Sequence, residues 1–200
     1  MHYRSWETAL WKAGRLNSQN GRMNRNIGIF CASSNRMAPV FYDEAQRLGE
    51  WIGRQGRTLV YGGANCGLME TLAKSVHEAG GRVLGVVPQI LVEQGRVSRY
   101  IDETVLTPDL NQRKQGIIDR SDIILALPGS VGTLDEVFTV LAANTIGIHS
   151  KRVLFWNIDG FWDELFRLFR AMEKRGVVNK PLEDYILVAN TLDEVVRLIG

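Results

Sequence analysis

The sequence predicts an α/β fold, a Rossmann-like three-layer architecture with a mostly parallel central sheet of about seven strands. Three observations predict it. Short runs rich in Val and Ile alternate with longer stretches of helical period, the pattern of repeated βα units. Most of the short runs lack an alternating polar face, as strands do when helices cover both sides of a sheet. Glycines stand where helix C-caps are needed, at Gly80-Gly81 and Gly176.

In chain order the strand candidates are 27–31, 58–61, 83–87, 104–106, 123–127, 153–156 and 186–188. The helical stretches between them are 40–54, 68–79, 112–120, 134–145, 161–175 and 192–199. Residues 26–200 contain no internal repeat, low-complexity tract or linker, so they read as one domain. Two hundred residues with 45% hydrophobic content suffice for one sizeable core.

Residues 1–25 read as an N-terminal extension. Arg4, Lys12, Arg15, Arg22 and Arg25 face one acid, Glu7, and no apolar stretch of secretory-signal type is present. Met23, just ahead of the first strand, offers a start site that would leave the preceding residues as a disordered or misassigned leader. The alternative is an amphipathic docking segment with Trp6, Leu10 and Trp11 on one helical face.

Charge and composition exclude several classes. Lys plus Arg total 24 against 22 Asp plus Glu, so bulk electrostatics give no reason to expect nucleic acid as a partner. No apolar run approaches the roughly 18 residues needed to span a bilayer, so no membrane role is expected. Cys31 and Cys66 lack metal-binding spacing, His2, His77 and His149 form no ligand set, and a reducing cytoplasm is the expected location.

Ligands of open parallel sheets bind beyond the carboxyl ends of the strands, where loops enter helices. Three such loops here are rich in small residues. Cys31-Ala32-Ser33-Ser34-Asn35 follows the first strand, and Ser33 is a candidate ligand contact, although Ser and Asn also simply make turns. Tyr61-Gly62-Gly63-Ala64-Asn65-Cys66-Gly67 follows the second, and Gly62 and Gly63 would let backbone amides approach an anion, or serve close strand–helix packing.

The third loop, Pro128-Gly129-Ser130-Val131-Gly132-Thr133-Leu134-Asp135-Glu136, is the most informative. Gly129 and Gly132 permit a tight turn, Thr133 adds a hydroxyl, and a helix N-terminus contributes about half a positive charge. No lysine precedes Thr133, so a nucleoside triphosphate with magnesium fits less well than a monophosphate. Asp135 also suits the helix N-terminus as a plain charge. Upstream, Asn111-Gln112-Arg113-Lys114 puts two adjacent cations near the expected ligand face, although an Arg-Lys pair is also an ordinary solvated helix surface.

The stretch Asp109 to Lys114 followed by Pro128 to Glu136 resembles the Lonely Guy family of phosphoribohydrolases, whose Arg-Lys pair and Pro-Gly-Gly-x-Gly-Thr-x-x-Glu signature stand at this separation. The resemblance extends over residues 27 to about 198, including Cys31 to Ser34, Gly62 to Met69 and Gly147-Ile148-His149. It implies hydrolysis of a cytokinin riboside 5′-monophosphate, or of AMP, to free base and ribose 5-phosphate, without metal or organic cofactor. It further implies that Arg113 and Glu136 are the catalytic pair, that Lys114 and Ser130 to Glu136 bind the nucleotide, and that the protein is a homodimer. Against the family pattern, Ser130 replaces a glycine, Glu70 replaces a small residue, Gly95 replaces a ligand-contacting glutamate with Glu93 nearby, and Ala142 replaces a threonine of plant relatives.

A non-catalytic nucleotide carrier or sensor on the same fold is the rival reading, since a phosphate loop alone does not establish turnover. Proteins resembling the Lonely Guy family are often labelled lysine decarboxylases, but no pyridoxal-binding lysine with supporting partners is evident. An NAD dehydrogenase would need a Gly-x-Gly-x-x-Gly turn where Cys31-Ala32-Ser33-Ser34 stands.

Overall fold

The computed structural model describes residues 25–200, so the expectations for the extension up to residue 24 lie outside the described residues. Apolar runs become β1 (Asn26–Phe30), β2 (Thr58–Tyr61), β3 (Arg82–Pro88), β4 (Glu103–Thr107), β5 (Ile123–Ala126), β6 (Val153–Trp156) and β7 (Ile186–Ala189). The helices are α1 (Pro39–Arg54), α2 (Gly67–Glu78), α3 (Gln89–Glu93), α4 (Leu110–Arg120), α5 (Val131–Thr145), α6 (Asp163–Lys174) and α7 (Leu192–Ile199). Every strand pair among the described residues is parallel, in the order β4-β3-β2-β1-β5-β6-β7.

Strand alternation divides the core into two layers. Ile27, Ile29, Leu125, Leu154 and Trp156 face one side, where Leu48 and Ile52 of α1, Leu72 and Val76 of α2, and Val195 and Ile199 of α7 cover them. Phe30, Ile124, Ala126, Val153 and Phe155 face the other side, under Ile117 of α4, Val137 and Val140 of α5, and Phe166 and Phe169 of α6. Phe155 anchors this layer through edge-to-face contacts with Trp162 and Phe166, at centroid separations of 5.4 and 5.5 Å.

Two differences from the expected elements have local causes. The five-residue helix α3 was not anticipated, because one turn is too short to show a helical period. Helix α5 begins at Val131, ahead of the expected Leu134, which draws Gly132 and Thr133 into its first turn. Of the apolar residues on α5, Val140 and Leu141 are buried within the chain, whereas Phe138, and Ile146 just past the helix, are exposed. No described helix is long and apolar enough to cross a membrane.

Sheet order fixes where the loops meet. From β1 the chain winds outward to β2, β3 and β4, then returns to place β5 on the other side of β1. The switch point therefore lies between β1 and β5, where two loops part and leave a crevice. Ladder bonds continue past the strand ends, with Leu127 N donating to Phe30 O at 3.0 Å and Ala32 N to Pro128 O at 3.1 Å.

Helices α1 and α2 approach each other closely through glycines of α1. A Cβ on Gly53 would stand 2.5 Å from Ala79 Cβ and 2.7 Å from Val76 O. Helix propensity alone favours alanine over glycine by about 1 kcal/mol. The backbone oxygen cannot retreat, so Gly53→Ala is expected to lower unfolding stability by about 1–3 kcal/mol in urea titration.

Candidate active site

The crevice at the switch point is a cleft of about 190 Å³, to which the loops after β1 and β5 and the starts of α2, α4 and α5 contribute. Cys31, Ala32, Ser33, Met69, Leu110, Arg113, Lys114, Ser130, Gly132, Thr133, Asp135 and Glu136 line it. A larger hollow of about 630 Å³ lies between α1 and α2, but there Glu50 already pairs with Gln46 and Arg54. The smaller cleft holds the chemistry.

Asp109 starts α4 as its N-cap, its carboxylate accepting from Gln112 N at 2.8 Å. This fixes the first turn, from which both cations of the Arg-Lys pair reach α5. Arg113 Nη1 donates to Glu136 Oε1 at 2.6 Å in a buried ion pair, with side chains 11% and 5% exposed. Lys114 Nζ donates to both carboxylate oxygens of Asp135 at 2.9 Å, and Asp135 is more than half exposed. Adjacent residues on two helices thus form an inner pair and a rim pair.

Burial pushes the Glu136 carboxyl above the ordinary glutamate value, and the neighbouring Arg113 guanidinium opposes that rise. Burial also pushes the Cys31 thiol up, and the Glu136 charge pushes it further. A thiol held protonated is a poor nucleophile, which leaves the carboxylate as the reactive group of the cleft.

The loop into α5 has the geometry of an anion cradle. Its first helical bond runs from Leu134 N to Ser130 O, and the Ser130 side chain makes no capping bond. The amides of Val131, Gly132 and Thr133 therefore precede the hydrogen-bonded turns, at the positive end of the helix. A Cβ on Gly129 would stand 2.1 Å from Thr133 Oγ1, so the bare glycine sets the position of that hydroxyl. Around Gly132 the space is open.

The structure gathers Ser33, Arg113, Lys114, Ser130, Gly132, Thr133, Asp135 and Glu136 around one cleft, with Gly129 packed against Thr133. Val131 is 80% exposed beside it, and Leu134 turns toward the core on the α5 side. Gly62 and Gly63 are not part of the lining. Gly62 packs under the Arg113 guanidinium, and a Cβ on Gly63 would meet Val87. Asn35, read in the sequence only as part of the first loop, ties the first two loops together, its Oδ1 accepting from Gly67 N at 2.7 Å. Sequence reasoning missed Leu110, an exposed leucine at the mouth whose position just ahead of the Arg-Lys pair was the available signal. Among the described residues no cluster of three or more His, Cys, Asp or Glu side chains is arranged to hold a metal ion.

Comparison with known proteins bears on this arrangement. The family described as "Possible lysine decarboxylase" matches residues 69–199. A probable cytokinin riboside 5′-monophosphate phosphoribohydrolase of Oryza sativa subsp. japonica is 34% identical over 185 residues, covering 92% of this chain and 82% of its own. The chain belongs to the Lonely Guy family. A cytokinin riboside 5′-monophosphate phosphoribohydrolase of Arabidopsis thaliana is 32% identical over 173 residues, covering 86% of this chain and 80% of its own. Among solved structures, the molybdenum cofactor binding protein of Rippkaea orientalis superposes with a TM-score of 0.68 at 24% identity, over 90% of this chain and 96% of that one. The molybdenum cofactor carrier protein of Chlamydomonas reinhardtii gives 0.63 at 23%, over 86% and 92%. At these identities the two structures show the shared Rossmann-like fold.

Gly129 and Gly132 separate the cradle's parts. Gly129→Ala displaces Thr133 and is expected to weaken AMP binding at least tenfold by titration calorimetry, about the 1.4 kcal/mol of one hydrogen bond to a charged group. Gly132→Ala, which meets open space, is expected to stay within about threefold of wild type.

Proposed function

We propose that this Lonely Guy family member hydrolyses the N-glycosidic bond of a nucleoside 5′-monophosphate, a cytokinin riboside 5′-monophosphate or AMP, to free base and ribose 5-phosphate. The observation that carries the reading is the buried Arg113–Glu136 pair facing the cleft beside the α5 amides. The named relatives are phosphoribohydrolases, which supports the same reaction class.

In the proposed reaction the 5′-phosphate lies at the amides of Val131 to Thr133, with Lys114 and Ser33 at the rim. The C1′–N bond breaks with its electron pair leaving on the base, and positive charge develops on the ribose. Glu136 stabilises that charge and takes a proton from the attacking water, whose oxygen bonds to C1′. A carboxyl raised by burial is a stronger base for this step. Arg113 keeps the carboxylate oriented and ionised, and its permanently charged planar fork can direct the base as it departs. The departing base is protonated and Glu136 gives up the proton it took from water, so the carboxylate is regenerated and water is the only co-reactant.

A carrier or sensor would use the cradle too, but would gain nothing from a buried carboxylate next to an anionic ligand. The pair favours catalysis. A homodimer is also proposed, from family membership and from the exposed apolar side chains of Phe138 on α5 and of Ile146 and Ile148 just past its end. A cytoplasmic location is proposed as well, supported by both cysteines standing unpaired.

Glu136→Gln keeps the size of the side chain and removes its charge. It is expected to cut base release by a factor on the order of 10²–10⁴ while AMP affinity changes little, and Arg113→Ala to weaken both. Base release at the wild-type rate from Glu136→Gln would make the carboxylate a structural charge and favour the carrier. Because activity needs the ionised carboxylate and its value is raised, kcat/KM is expected to fall on acidification with a midpoint above the ordinary 4.5. Light scattering at micromolar concentration is expected to give twice the chain mass of 22.5 kDa, and the monomer mass would reject the dimer.

A further inference from the structure

We infer that Gly62 is a positioning residue for the reaction, because the space its absent side chain leaves is where the Arg113 guanidinium lies. The inference rests on the hydrolase reading of the same cleft and assigns a role to a residue outside its lining. Glycine is commonly required where the backbone turns into the left-handed region, and two others in this loop, Gly63 and Gly67, do so at φ of 79° and 59°. Gly62 does not, so its backbone is open to any residue. What forbids a side chain is Arg113.

A Cβ built on Gly62 would stand 1.5 Å from Arg113 Nη2, 2.4 Å from Cζ and 2.9 Å from Nε. The whole fork therefore lies across the Gly62 Cα. Arginine is long and flexible, and on an open surface it would swing aside at little cost. Here it is confined, since Arg113 is 9% exposed, its Nη1 is bonded to Glu136 at 2.6 Å, and its helix is capped by Asp109. Any side chain at position 62 must push the guanidinium off Glu136 before it disturbs the sheet. Residues 62 and 113 thus form one device, in which the end of β2 supplies a floor, α4 supplies the cation and α5 supplies the carboxylate.

This geometry separates Gly62 from a phosphate-binding glycine. A glycine admitting phosphate would matter whether or not Arg113 were present. A glycine admitting Arg113 matters only when Arg113 is there.

The test is a double-mutant cycle of Gly62→Ala and Arg113→Ala, read by kcat and KM for AMP, by the acid limb of kcat/KM and by thermal midpoint. Gly62→Ala alone is expected to lower kcat about tenfold to a hundredfold, the scale of a misplacement near 1 Å. It is also expected to move the acid limb upward, because the guanidinium that holds the Glu136 carboxyl down has been displaced. In the Arg113→Ala background the same change is expected to alter kcat and KM by less than twofold. Should Gly62→Ala alone fail to fold while the double variant folds, the clash with Arg113 is equally established. Unchanged activity in Gly62→Ala, an equal loss with and without Arg113, or unfolding of both variants would each overturn the inference. Wild-type protein that releases no base from any monophosphate would instead defeat the hydrolase reading. The coupling between positions 62 and 113 would then be read from AMP affinity.

Discussion

Taking a guanidinium and a carboxylate out of water costs several kcal/mol per ion, and their attraction offsets this only when geometry and surrounding hydrogen bonds are good. Arg113 and Glu136 meet at 2.6 Å with almost no exposure, so the surroundings must hold them there. Several elements converge on that task. The Asp109 cap fixes the start of α4, Gly62 leaves the guanidinium its space, and the buried face of α5 fixes Glu136. A buried pair of this kind is weak evidence for stability, since apolar residues of similar volume often do as well. Its value here lies in holding a charged, desolvated carboxylate ready beside an open cleft.

The rest of the cleft follows from the order of the strands. Because β1 and β5 are neighbours whose connections run to opposite sides, the loops after them separate above the sheet, and α5 points its unbonded amides into the gap. On the proposed reading, phosphate affinity and bond cleavage rest on different groups. The amides would need only the helix and Gly129, whereas cleavage would need the buried pair. The outer pair of Lys114 and Asp135 is half open to water and contributes correspondingly less to holding the site together.

Most strands were legible in the sequence because burial on both faces makes them largely apolar; β4 is a mostly exposed edge strand, yet each expected strand lies within a residue or two of the observed one. Helix α3 was not, since five residues carry no readable period. The start of α5 was placed late because Val131 and Gly132 resemble loop residues, and only the backbone shows that they already turn. Arg113 and Glu136 were legible through their spacing relative to a family signature. Their contact was not, because the two lie 23 positions apart with β5 and the start of α5 between them. Gly62 was the hardest case. A glycine in a glycine-rich loop looks the same in sequence whether it admits a phosphate or a side chain from 51 positions away, and only the packing distinguishes the two.

The most direct measurement is product analysis with the purified protein. AMP and N6-isopentenyl AMP would each be incubated with it and the time course followed by chromatography for base and sugar phosphate together. A cleft that hydrolyses the N-glycosidic bond releases free base and ribose 5-phosphate in equal amounts, catalytically and without added metal. Monophosphates that bind and are recovered intact after many hours would contradict it, and would leave a nucleotide-binding protein whose buried carboxylate has another purpose.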